Sequence, residues 1–178
     1  SVTDGFAATA MHLSYIAQTA RRLDADFINM GMAGSAYCEP ELADYLAGRD
    51  DWDIATFELA VNMIGGGFTV DQFRQRASYM INALAAADPS RPVACITFWP
   101  YTADLCDNLI GPHQSDIAAA YRQALREIVH QSPHANVHLI EGSDLLRDIT
   151  GYTIDLMHPG DAGMTQIAEN LAQCLGAL

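Results

Sequence analysis

The chain has 178 residues, 50% hydrophobic and 17% charged, too apolar for a disordered chain and long enough to bury a core. Nine Lys and Arg against 22 Asp and Glu give a net charge of −13, which excludes the basic face that nucleic acid or an anionic membrane surface requires. No apolar run reaches the roughly 18 residues of a membrane span, and the first residues are not a basic stretch followed by an apolar one. At about 100–200 residues per domain, the length predicts one domain over residues 1–178.

In chain order, the pattern alternates between two periods. Ala8–Leu23 reads as a helix with Leu13, Ile16, Ala17 and Ala20 on one stripe and Arg21 and Arg22 at its C-terminal end, where positive charge suits the helix dipole. Ala25–Met30 follows as a first strand-like run, then Asp53–Val61. Thr69 and Gln72 are spaced as a capping box opening a helix to about Ala87, with Phe73, Ala77, Met80, Ile81 and Leu84 inward. Pro92–Trp99 is the third strand-like run, and Ser115 is placed to cap a helix that ends near Gln131, before Pro133. Asn136–Glu141 is the fourth run, and a last helix spans about Asp161 to Leu175. The strand-like runs lack clean polar alternation, as strands buried on both faces do. Strands alternating with helices imply parallel βαβ units and an α/β fold, a three-layer α/β/α sandwich around a parallel sheet.

Cysteines and histidines add little. Cys38, Cys95, Cys106 and Cys174 form no CxxC pair, so neither a disulfide framework nor a cysteine zinc site is expected. His130, His134 and His138 would share a face of a continuous helix, but Pro133 interrupts it, so no metal site is expected there.

In folds of this class, chemistry gathers in the loops at the carboxyl ends of the strands. The most informative loop is Asp155-Leu-Met-His158-Pro-Gly160. Asp and His three residues apart can fold so that the carboxylate holds one imidazole nitrogen and frees the other to take a proton from a nucleophile. The same residues would also suit a turn with a capping Asp and a surface His. Trp99 and Tyr101 leave a strand end at the expected active face and would wall a substrate pocket, or simply pack in the core. Met63 falls at another strand end, where a flexible thioether suits an acyl pocket or ordinary packing.

Four segments together resemble the SGNH hydrolases, the GDSL esterase and acyltransferase superfamily. Ser1-Val-Thr-Asp-Gly5 is similar to the latter part of that family's first block, and Asn29-Met-Gly-Met-Ala-Gly34 to its second. Glu58-Leu-Ala-Val-Asn62 resembles the third, and Asp155-x-x-His158-Pro159 with Gly160-Asp-Ala-Gly163 the last. The resemblance implies an SGNH, flavodoxin-like sandwich in which Ser1 is the nucleophile, His158 the general base and Asp155 its orienter. The oxyanion hole would combine the backbone N–H of Ser1 and Gly34 with the side-chain amide of Asn62. It further implies an acyl ester substrate handled through a seryl acyl-enzyme, with no metal or organic cofactor. Water as acceptor makes an esterase, and an alcohol or amine makes an acyltransferase.

Two departures from the family stand out. The third block ordinarily runs Gly-x-Asn-Asp, whereas this chain has Ala60-Val-Asn62-Met63, resembling the branch with a β-rich domain ahead of the catalytic one. The family also places a β-strand immediately before the serine. A preceding polypeptide is therefore expected to complete the sheet, either as the rest of a longer protein or as a fragment of a precursor cleaved before Ser1, which autoproteolysis through an N-to-O acyl shift could achieve. A subunit whose serine is consumed by such cleavage would only bind, and this non-catalytic role is the alternative reading.

Overall fold

The computed structural model describes residues 1–106 and 114–178. In chain order its regular elements are α1 (Tyr15–Arg22), α2 (Pro40–Ala47), β1 (Ala55–Leu59), α3 (Val61–Gly65), α4 (Val70–Ala87) and β2 (Val93–Thr97). They continue with α5 (Thr102–Leu105), α6 (Gln114–Gln131), β3 (Val137–Ile140), α7 (Gly142–Leu145) and α8 (Asp161–Leu175). The chain packs as two compact units: Ser1–Ser35, Trp99–Ser115 and Glu141–Leu178 form the first, Ala36–Phe98 and Asp116–Ile140 the second. No helix among the described residues is long and apolar enough to cross a membrane.

The second unit holds the sheet. Its three strands are parallel in the order β1-β2-β3, with Ala55 opposite Val93 and Val93 opposite Val137. All five residues of β2 are buried, which is why Val-Ala-Cys-Ile-Thr shows no polar alternation. Helix α4 connects β1 to β2, and its expected capping box is present: the Thr69 hydroxyl accepts from the Gln72 N–H at 3.2 Å, and Gln72 Oε1 accepts from the Thr69 N–H at 2.8 Å. Its inner face is the expected one, Phe73, Ala77, Met80, Ile81 and Leu84, with Ala85 beside them. The buried Asn136 amide ties the α4–β2 connection down by donating to the carbonyls of Ala85, Asp88 and Arg91 at 3.2, 3.2 and 2.8 Å. Helix α6 is described from Gln114, so Ser115 is inside it rather than capping it.

In the first unit α1 packs along α8. The stripe expected from the sequence is only partly the one that is buried: Ala20 is buried, while Leu13, Ile16 and Ala17 are half-buried. A separate 3₁₀ turn over Met11–Leu13 precedes α1, and the buried face is Tyr15, Gln18, Thr19 and Ala20. Polar residues sit inside because each finds a partner: Gln18 donates to the Leu13 carbonyl at 2.8 Å and accepts from the Thr165 hydroxyl at 3.1 Å, while Thr19 donates to the Tyr15 carbonyl at 2.8 Å. A satisfied amide or hydroxyl escapes the desolvation penalty that hydropathy patterns assume.

Residues 25–30 correct the expectation of a first strand. They are irregular and exposed throughout. A parallel strand makes no hydrogen bonds within itself and exists only beside a neighbour, and among the described residues none pairs with this run. Among the described residues strand β1 likewise pairs with β2 alone.

β1 ends in a sharp turn at Ala60, which has φ 112° and ψ −42° before α3 opens at Val61. A Cβ-bearing residue in that region is strained by on the order of 1–3 kcal/mol, and glycine adopts it freely. Replacing Ala60→Gly returns part of that strain against a larger unfolded-state entropy. It should raise the thermal midpoint by about 2–4 °C, the shift for ~1 kcal/mol in a chain this size; an unchanged or lower midpoint by calorimetry would show the turn to be unstrained.

Candidate active site

The first unit brings Ser1, His158 and Asp155 into one hydrogen-bonded line. Ser1 Oγ lies 2.9 Å from His158 Nε2, and His158 Nδ1 lies 2.6 Å from Asp155 Oδ2. When Nδ1 carries the proton toward the carboxylate, Nε2 is left bare to accept the serine O–H. The imidazole is largely enclosed, with a side-chain exposure of 15%, whereas the Asp155 side chain is 44% exposed.

The loop carrying Asp155 and His158 is built by local hydrogen bonds. Asp155 Oδ1 accepts from the Thr153 hydroxyl at 2.7 Å, the Met157 N–H at 2.8 Å and the His158 N–H at 2.9 Å. Thr153 N–H donates to the His158 carbonyl at 2.8 Å, and Tyr152 pairs with Pro159 as an antiparallel bridge. The turn between the two side chains requires Leu156 at φ 52°, an uncommon conformation for a branched residue. Two anchors reach in from the segment after residue 98: the Thr102 hydroxyl donates to the Asp155 carbonyl at 2.7 Å, and the Tyr152 hydroxyl donates to the Pro100 carbonyl. Partial burial pushes the Asp155 carboxyl up, but the donors from His158, Met157 and Thr153 outweigh it and hold the group well below the usual carboxylate range.

Ser1 is held by its own turn. Its carbonyl accepts from the N–H groups of Gly5 and Phe6, both at 3.1 Å. Gly31 and Gly34 differ in what their backbone does. A Cβ on Gly31 would lie 2.3 Å from the Asp4 nitrogen, so this glycine permits close packing on the turn behind Ser1. Gly34 has φ 74°, a conformation that favours glycine, and nothing lies within 4 Å of where its Cβ would be. In the second unit, Asn62 lies in the first turn of α3, and its Oδ1 accepts from the Ala36 N–H at 3.2 Å. That bond orients the amide and leaves its NH₂ group to donate elsewhere.

Trp99, Tyr101 and Met63 are core residues in this structure, with exposures of 2%, 5% and 0%. Trp99 meets Tyr15 edge-on, with ring centroids 6.1 Å apart. Cys38 and Cys95 are buried free thiols that burial pushes up to about 12, while Cys106 and Cys174 are free and partly exposed. Among the described residues no three His, Cys, Asp or Glu side chains converge as metal ligands. Thr153, Thr102 and Phe6, whose ring lies against His158, were not foreseen. Thr153 could have been, since a hydroxyl two residues before an Asp is a local turn pattern, but the others depend on contacts distant in sequence or on ring geometry.

A family model of GDSL-like lipases and acylhydrolases matches residues 1–176. The chain therefore belongs to the GDSL-like lipase/acylhydrolase family, and its parallel strands flanked by helices are the α/β sandwich of the SGNH fold. Among solved structures it is similar to a salicylyl-acyltransferase from a tetracycline biosynthetic pathway, with TM-score 0.82 and 18% identity over 98% of this chain and 52% of that one. It is also similar to a psychrotrophic esterase from Pseudoalteromonas sp., with TM-score 0.76 and 14% identity over 99% and 92% of the two chains. A carbohydrate esterase of family 3 from Talaromyces cellulolyticus gives TM-score 0.63 and 22% identity over 83% and 69%. The chain thus spans about half the length of the acyltransferase. No curated protein sequence matches it significantly.

A carboxyl held below its ordinary value near 3.9 contributes stability that is fully present above that pH and is lost as pH falls through the folded value. The difference in urea midpoint between wild type and Asp155→Asn should therefore be full at about pH 5 and narrow steadily below about pH 4. A difference that stays constant down to pH 2 would mean that the loop does not depend on the ionised carboxylate.

Proposed function

We propose that this chain is the catalytic part of a serine esterase or acyltransferase that works through a seryl acyl-enzyme. The observation that carries the reading is the line from Ser1 Oγ through His158 to Asp155, with separations of 2.9 and 2.6 Å. A serine hydroxyl is a weak nucleophile until a base in hydrogen-bond reach takes its proton, and His158 Nε2 is placed to do so. Ser1 Oγ then attacks the ester carbonyl carbon, its proton passing to Nε2 while Asp155 stabilises the imidazolium. The carbonyl oxygen becomes an oxyanion, received by the backbone N–H groups of Ser1 and Gly34 and by the Asn62 side-chain NH₂. As the intermediate collapses, the C–O bond to the alcohol breaks and His158 returns the proton to the leaving oxygen. An acceptor, water or an alcohol or amine, enters by the reverse path and regenerates Ser1.

A preceding segment is proposed to supply a β-strand. Support comes from each unit separately: β1 has an edge with no strand on it among the described residues, and residues 25–30 have strand-like composition but no neighbour. Unpaired backbone groups are costly once covered, so each of these edges, taken by itself, favours a strand paired along it. N-terminal sequencing and intact mass of the full protein distinguish a continuous segment from a cleaved fragment.

With p-nitrophenyl acetate as probe and the full protein as enzyme, Ser1→Ala and His158→Ala should each lower kcat by several orders of magnitude with KM little changed. Asn62→Ala should cost roughly 10²–10³-fold. Near wild-type turnover in Ser1→Ala would overturn the reading; a folded protein that binds esters but never turns them over would leave a binding subunit instead. In the full protein, hydrogen exchange should show slow amides over residues 25–30, and fast exchange there would remove the proposed strand.

A further inference from the structure

Phe6 has no part in the mechanism above, yet its placement is specific. Its ring centroid lies 4.8 Å from that of the His158 imidazole, with the planes inclined by 50°. The side chain is nevertheless 65% exposed, so most of the ring faces outward rather than into a core. The backbone fixes it there: Gly5, at φ 96°, turns the chain, and the Phe6 N–H donates to the Ser1 carbonyl at 3.1 Å. The residue that presents the nucleophile and the one that presents this ring therefore belong to a single turn.

Position beside the imidazole decides which half of an ester such a ring can meet. The acyl half becomes bonded to Ser1 Oγ, with its oxygen directed at the oxyanion donors. The alcohol half leaves through an oxygen that takes its proton from His158 Nε2, and the acceptor arrives through the same nitrogen. A ring packed against the imidazole borders the path of the alcohol and not that of the acyl chain. Its open face can stack on a flat apolar surface, a favourable contact beyond the area it buries.

We propose that Phe6 is the acceptor-side specificity residue of this enzyme, selecting leaving and accepting alcohols whose carbon next to the hydroxyl bears a flat apolar ring. The proposal rests on the triad reading given above. It assigns to one exposed side chain a role in choosing the alcohol, and none in choosing the acyl group.

The test uses two ester series with the full protein. One holds the acyl group as acetate and changes the alcohol from ethanol to benzyl alcohol; the other holds ethanol and changes the acyl group from acetyl to butyryl. Wild type should favour benzyl over ethyl acetate in kcat/KM. Phe6→Ala should reduce that preference on the order of 10-fold, the equivalent of one stacking contact, while leaving the acetyl-to-butyryl ratio within twofold. Phe6→Tyr, which keeps the ring, should restore the preference. An equal loss in both series would mark Phe6 as a support for His158 alone, and an unchanged alcohol preference would mean that the ring meets no substrate; either overturns the proposal. Ser1→Ala run in parallel separates the two levels. If it abolishes turnover while Phe6→Ala alters nothing, only the acceptor-side role falls, whereas turnover surviving in Ser1→Ala removes the triad and the proposal together.

Discussion

The carboxylate of Asp155 is the fixed point of the first unit. It is an ionised group in a loop, partly open to solvent, and it accepts four donors: three on Oδ1 and the imidazole on Oδ2. Each of those donors also constrains something else. The Met157 and His158 N–H groups converge on one oxygen across a turn in which Leu156 is left-handed. The Thr153 hydroxyl closes the loop from the other side, and the Thr102 hydroxyl pins the Asp155 carbonyl to the start of α5. Charge-assisted hydrogen bonds are roughly twice as strong as neutral ones, so the ionised carboxylate organises the loop and the loop in turn aims the imidazole at Ser1.

How much of this was legible in the sequence depends on the range of the forces involved. The Thr69–Gln72 capping box and the inner face from Phe73 to Leu84 are local patterns, set by helix periodicity and by groups three or four residues apart. They could be read directly. The spacing of Asp155 and His158 is likewise local, and it suggested the geometry that the loop adopts. Residues 25–30 could not be judged in the same way, because a parallel strand depends on a partner that composition does not reveal. The buried face of α1 was misread for a different reason: hydropathy discounts Gln18 and Thr19, whose hydrogen bonds make burial inexpensive. Trp99 and Tyr101 were legible as residues leaving a strand, but their burial, Trp99 against Tyr15, follows from tertiary packing.

The divergent third block has a physical counterpart. Where the family ordinarily has glycine, Ala60 keeps the left-handed turn at φ 112° despite its Cβ. The turn is what ends β1 and opens α3 with Asn62 in its first turn, and Asn62 is further oriented by the Ala36 N–H. In this chain the strained backbone at Ala60 sets where α3 begins and so carries Asn62 into its first turn. Strain retained at a position of this kind is the pattern expected where geometry is held for function. The accompanying change from aspartate to Met63 has a simpler basis, since that side chain is wholly buried and a carboxylate there would need a partner.

Hydrolysis and acyl transfer share every residue of the proposed triad, so the choice between them lies in how water is kept from the acyl-enzyme. In this chain the Phe6 side chain beside the imidazole is largely exposed and Asp155 is partly open to solvent, while His158 itself is largely enclosed. An open site delivers water to Nε2 at about 55 M, against millimolar alcohol at best, so transfer requires either coverage or a strong preference for the acceptor. Large apolar side chains at Phe6, Met11, Phe27, Ile28 and Met30 are all exposed on the same unit. Covering the area each still exposes is favourable at about 25 cal/mol per Å² of apolar surface, which gives a further segment a thermodynamic reason to lie across this unit. If such a segment reaches the Phe6 ring, it covers the acceptor path and favours transfer; if it stops at residues 25–30, the acyl-enzyme stays open to water.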